Sequence, residues 1–174
     1  MSKSIIQEIQ EDALNSECSL SLLLMKAFAL AQNLALTDFS RWLKNEMEGY
    51  ACSESELPEY RKLRGQVGAF YGHGWVPVQW DENNSGTAYL YDSIVEIENA
   101  LNRMGHEIYH PCYGEQPHWF SKSTQNQPQY AIVISRSLFI RVLNKVRTYL
   151  FNWAIELEMN GVQEDGISIP ATEK

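Results

Sequence analysis

Near the end of the chain, Phe139, Leu143, Val146, Leu150, Trp153 and Leu157 recur at intervals of 4, 3, 4, 3 and 4 residues. Strand side chains alternate between two faces, so only an α-helix can hold this 3.5-residue period. The seam lasts about three heptads, and at 1.5 Å per residue it predicts a helix roughly 35 Å long. A stripe of that length has to be covered, either by the rest of the chain as core or by a second copy as a self-association surface. The charges of this helix run against its dipole, with Arg136, Arg141, Lys145 and Arg147 early and Glu156 and Glu158 late. They read as solvated faces, or as one end that meets an acidic partner.

Three shorter helical patterns open the chain. Ile5, Ile6, Ile9, Ala13 and Leu14 mark one face of the first. The second runs from about Ser19 to Leu34, with Leu20, Leu23, Leu24, Ala27, Phe28, Ala31 and Leu34 on an arc wide enough to predict burial over most of its circumference. The third begins at an N-cap, Thr37 or Asp38, turns Phe39, Trp42, Leu43 and Met47 inward, and stops at Gly49. The short connections favour antiparallel neighbours.

At Leu57-Pro58 the period changes. Glu59 to Tyr71 reads as extended, with glycines that mark close backbone approach or weaken the strand. A glycine-rich turn leads to a short piece around Val76 and Val78, which Pro77 confines to an edge; Asp81 to Gly86 is loop by composition. Ser93 with Glu96 forms a capping box before a helix that buries Ile94, Ile97, Leu101 and Met104. A short strand near Ile108, a long loop, and a buried strand at Tyr130–Ile134 precede the last helix. The fold class is α+β: a three-helix unit, a small mainly antiparallel sheet from segments near 61–70, 75–80, 106–110 and 130–134, and the long helix packed across it. Residues 1–160 form one domain, and 161–174 a tail or linker.

With 14 Lys and Arg against 22 Asp and Glu, the net charge of −8 argues against non-specific binding to nucleic acid or an anionic membrane. The longest apolar run, Leu22–Met25, ends at Lys26, far short of the ~20 residues that a membrane span needs. Three cysteines without framework spacing and no signal-peptide pattern predict reduced thiols and a cytoplasmic location.

The usual catalytic signatures, GxxxxGK[ST], GxSxG, HExxH and CxxC, do not occur. His106, His110, Cys112 and His118 are the candidate metal ligands, although Gly105, Pro111 and Pro117 break the helix that would make HxxxH converge. Glu46/Glu48 and Glu156/Glu158 read as solvated, since neighbours at i, i+2 on a helix do not share a face, and Glu54/Glu56 read as solvated in an acidic loop. Trp42 and Trp153 fall on apolar helix faces, whereas Trp75, Trp80 and Trp119 in turns are candidate interface anchors.

One segment is more specific. Leu43-Lys44-Asn45-Glu46-Met47-Glu48-Gly49-Tyr50, an acidic spacer, and Leu57-Pro58-Glu59-Tyr60-Arg61-Lys62-Leu63-Arg64-Gly65-Gln66 resemble the signature of the AbiTii domain. Ser4 to Leu14, Leu23 to Ala27, Ile134-Ser135-Arg136-Ser137, Val146-Arg147 and Leu157-Glu158 fit the same family, over roughly residues 2 to 160. The resemblance implies a place in bacterial abortive-infection defence against phage. It also implies a sensing, regulatory or oligomerising module, often ahead of another segment, rather than a catalyst. The chain then acts with a separate effector or is the first part of a longer protein.

In the residues themselves, a Glu59–Arg61 pair on one strand face with Arg64 opposite serves either the fold or a partner. Glu59, Tyr60, Arg61, Arg64, Arg136, Arg147 and Trp153 are the expected interaction residues. A protein partner, effector or second copy is expected, with no cofactor and no membrane. Two other readings stay open: a small metal-dependent nuclease or hydrolase built on the histidine region, and a nucleic-acid sensor using Arg136, Arg141, Lys145 and Arg147.

Overall fold

A computed structural model describes residues 3–70, 73–78, 85–103, 107–111 and 129–162. The elements in chain order are α1 (Ile5–Leu14), α2 (Leu20–Asn33), α3 (Thr37–Glu48), a 3-10 turn (Glu59–Arg61), β1 (Lys62–Phe70), β2 (Trp75–Pro77) and β3 (Ser85–Tyr89). They continue with α4 (Ile94–Arg103), β4 (Glu107–Pro111), β5 (Gln129–Ser135) and α5 (Arg136–Met159). The expected α+β class is the one observed. The chain divides into two compact units, one drawn from Met1–Ala51, Asp92–Glu98 and Leu143–Lys174, the other from Cys52–Tyr91 and Asn99–Val142.

In the first unit, Ile5, Ile6 and Ile9 of α1 and Leu20, Leu23, Leu24, Ala27, Leu30 and Ala31 of α2 are buried. Leu14 is instead 71% exposed, and Leu22 and Met25 about half exposed, so the buried arc of α2 is narrower than its composition suggests. Lys26 of α2 binds Asp12 at 2.8 Å and Glu8 at 3.2 Å, one helical turn apart on α1. The hydrogen bond to Asp12, foremost, raises the Lys26 pKa above its ordinary 10.5.

Neither Thr37 nor Asp38 is the N-cap of α3: that position is Leu36, whose side chain makes no capping hydrogen bond. The reason is the end of α2. Leu36 N–H donates to the Ala31 carbonyl and Ala35 N–H to that of Gln32, while Ala35 takes φ 54°. This is a Schellman motif whose left-handed position holds alanine rather than glycine. The α2–α3 corner is thereby fixed before any cap residue is reached. At the other end of α3, Gly49 takes φ 93°, which a side chain would oppose.

The α3 face that is fully covered consists of Ser40, Leu43 and Glu46. Phe39, Trp42 and Met47, expected inward, are only half-buried. Along α5 the buried stripe is Phe139, Val142, Val146, Leu150, Ala154 and Leu157, with Leu143 and Trp153 at its half-buried margin. The seam is therefore core of this chain rather than a free surface.

Among the described residues of the second unit, the five strands all pair antiparallel. β1 is central: its first half pairs with β3 and its second half with both β2 and β5, and β4 lies outside β5. The four expected strand segments are present. β3, read as loop up to Gly86, is the addition. Gly65 and Gly86 face each other in the β1–β3 register. A Cβ at Gly65 would lie 2.5 Å from the Val133 carbonyl oxygen and 2.6 Å from Ile132 Cγ2. Close approach, not flexibility, explains that glycine.

Ser93 and Glu96 form the expected capping box: Ser93 N–H and Oγ donate to Glu96 Oε2 at 2.8 and 2.7 Å, and Glu96 N–H donates back to Ser93 Oγ at 3.3 Å. Ile94, Ile97 and Leu101 are buried as expected, while Met104 lies outside the described residues, as does the segment 163–174 of the expected tail.

Candidate functional site

The signature residues resolve first. Glu46, read as solvated, is fully buried on α3 and accepts a hydrogen bond of 2.5 Å from the Tyr50 hydroxyl one turn later. The signal for this was present: position 46 continues the inward spacing of Ser40 and Leu43. Arg61 lies in the 3-10 turn rather than on a strand and is fully buried. Its Nη1 donates to the Leu90 carbonyl at 3.4 Å, while its own carbonyl accepts from Leu90 N–H at 3.0 Å. Glu59 pairs with Lys62 at 2.5 Å, not with Arg61, and stays exposed. Arg64 is exposed on β1 opposite Thr87, and Tyr60 is half-buried.

Two arginines of α5 satisfy helix ends. Arg136 donates to the Leu101 carbonyl in the last turn of α4. Arg147 donates to the carbonyls of Asp12 and Asn15, both at 3.2 Å, and to that of Cys18. Carbonyls at a helix C-terminus have no partner within the helix, and a guanidinium suits both their geometry and the dipole. Neither side chain is the solvated charge it resembles in sequence. Arg141 and Lys145 are exposed, and Lys145 Nζ lies 5.0 Å from the Tyr149 ring centroid.

Other carboxylates are likewise engaged. Glu98, not singled out in sequence, closes the start of α2 by accepting from Leu20 N–H at 3.1 Å and the Ser21 hydroxyl at 2.9 Å. Glu158 accepts from Gln10 at 2.9 Å. Glu56 accepts from the Ser53 hydroxyl and N–H, which lower its pKa from 4.5. Glu54 hydrogen-bonds Tyr89, whose pKa burial and that bond together raise.

Of the candidate metal ligands, His106, Cys112 and His118 lie outside the described residues, and His110 is described only as backbone, in β4 opposite Ile132. Among the described residues no three His, Cys, Asp or Glu side chains gather as a metal site. Trp80 and Trp119 also fall outside them, and Trp75 is described only as backbone, in β2. Cys18 and Cys52 are free, half-exposed thiols; burial, then the charge of Asp12, raises the Cys18 pKa. No helix among the described residues is long and apolar enough to cross a membrane.

Two surfaces of the first unit remain. One is aromatic: Phe39 stacks on Trp153 at 4.3 Å between centroids and lies 5.2 Å from Trp42, which meets Tyr149 edge-on at 6.0 Å. All four rings keep part of their surface in solvent, Tyr149 the most at 39%. The other is a cavity of about 380 Å³ lined by Phe28, Gln32, Thr37, Ser40, Arg41 and Lys44, with Ala35 beside them.

The AbiTii family model matches residues 4–174. The chain belongs to the AbiTii family. Its place is therefore in abortive-infection defence against phage. No curated relative and no solved structure matches the chain. For an AbiTii chain the geometry gives the signature a concrete meaning: Glu46 and Arg61 are buried, Gly65 sits at a close backbone approach, and Arg136 and Arg147 bind carbonyls.

Proposed function

We propose that this AbiTii chain is a non-catalytic sensing and interaction module that acts in the cytoplasm by binding another protein. The observation that carries the reading is the aromatic stack of Phe39, Trp42, Tyr149 and Trp153, held between α3 and α5 and left half-exposed. Rigid aromatic rings with one side packed and one side wet are the commonest anchors of protein interfaces. Trp153 is thus the expected interaction residue that the geometry favours most. Glu59 and Arg64 also offer exposed charge, and the buried Arg61 offers none.

The test is native mass spectrometry of the chain captured from its own host before and during phage challenge. A second protein or a second copy at fixed stoichiometry is expected, and Tyr149→Ser, a change at an exposed position, should reduce it along with protection. A chain that stays monomeric in both states, with Tyr149→Ser fully protective, would overturn the proposal.

A further inference from the structure

The cavity of the first unit has a chemistry unlike the rest of the molecule. The chain carries 22 acidic residues against 14 basic ones, yet among the described residues the cavity lining has two cations, Arg41 and Lys44, and no carboxylate. Thr37, Ser40, Arg41 and Lys44 are spaced 3, 1 and 3 residues apart, which places them on one face of α3 from its first turn onward. The N-cap residue of α3, Leu36, makes no side-chain cap, and the acidic residue of the first turn, Asp38, is paired with Arg41 at the surface.

A second observation is independent of the helix end. Ser40 is 6% exposed, and its buried Oγ has no hydrogen-bond partner among the described residues. An unanswered buried hydroxyl costs the fold stability, and Ser40 is one of the residues that line the cavity. Arg41 and Lys44 are not locked in place. Their contacts, to Asp38 at 3.3 Å and Glu48 at 3.8 Å, are exposed surface pairs, which hold weakly. The lining residues from α2 are Phe28 and Gln32, an aromatic ring and an amide.

We infer that this cavity binds a small phosphate-bearing molecule with a flat apolar body, the chemistry of a nucleoside monophosphate. The phosphate takes Arg41, Lys44 and the start of α3, and the flat body lies against Phe28 with Gln32 at its polar edge. A volume of about 380 Å³ falls in the range of small-molecule pockets and exceeds what a bare phosphate needs. The inference holds whether the chain senses this ligand or only assembles.

Isothermal titration calorimetry of the full chain with adenosine monophosphate, adenosine and inorganic phosphate tests it. One adenosine monophosphate per chain is expected, bound at least tenfold tighter than either fragment. The double variant Arg41→Gln/Lys44→Gln should weaken it at least tenfold with an unchanged circular dichroism spectrum. Ser40→Ala gives the sharper result: a Tm at least as high as before, with weaker binding, because the hydroxyl serves the ligand and not the fold. No binding at millimolar concentration, binding no tighter than phosphate, or binding indifferent to the double variant would each overturn the inference.

Discussion

Arg147 in α5 donates from Nη1 to the carbonyl oxygen of Asp12 at 3.2 Å, across 135 residues of sequence. With Asn15 and Cys18, the same guanidinium answers three carbonyls where α1 ends. Arg147→Ala leaves them without that donor and should cost about 1.5–3 kcal/mol, the range for hydrogen bonds to a charged group. Arg147→Lys, with a point charge and no fork, should recover part of it. The exposed Arg141→Ala should stay within about 0.5 kcal/mol. Urea unfolding of the three variants checks the order, and equal stabilities would show the clasp to be inert.

Contacts of this kind mark the limit of what the sequence discloses. Helix periods are local, so α1, α2, α4 and α5 could be read to within a residue or two, and the Ser93–Glu96 box could be read outright. The roles of Arg136 and Arg147 could not, because a basic residue on a helix looks the same whether it meets water or a distant carbonyl. β3 was hidden for a related reason: it opens with Ser85-Gly86, which reads as the end of a loop, and it is held by the narrow register of Gly86 against Gly65. The cavity lay equally out of sight, since Thr37 and Asp38 look like caps until the Schellman turn at Ala35 is seen.

Gly65→Ala tests that narrow register directly. Its Cβ would meet backbone, the Val133 oxygen at 2.5 Å, so β1 and β5 must separate. A loss of about 1–3 kcal/mol is expected, as for other overpacked positions. Thermal unfolding measures it, and an unchanged Tm would mean that the strands part freely.

Ala35→Gly should act in the opposite direction. Alanine at φ 54° bears a left-handed strain of roughly 1 kcal/mol that glycine escapes, offset in part by the greater freedom of glycine in the unfolded chain. A net gain of about 0.5 kcal/mol is expected in urea unfolding. A loss would show that the corner is not strained.

The Glu96 carboxyl is held below its ordinary 4.5, first by the Ser93 hydroxyl and then by the Ser93 N–H. A carboxylate whose pKa falls on folding adds stability above its unfolded pKa, and that stability disappears as pH drops through the folded value. The capping box should therefore contribute fully at neutral pH and fade below about pH 4.5. Ser93→Ala should cost about 1 kcal/mol at pH 7 and progressively less as the pH is lowered. A cost independent of pH would separate the cap from the Glu96 charge.

Val146 is fully buried at the centre of the α5 stripe, whereas Ile140, six residues earlier, is 41% exposed. An aspartate at position 146 would be an unpaired charge in core, a change that costs upwards of about 4 kcal/mol against a total stability of roughly 5–15. Val146→Asp should thus unfold the chain at any protein concentration, while Ile140→Asp should leave it folded. Circular dichroism with sedimentation velocity distinguishes the cases. A folded monomer from Val146→Asp, where the parent chain is an oligomer, would turn the seam from core into interface and reverse the assignment of α5.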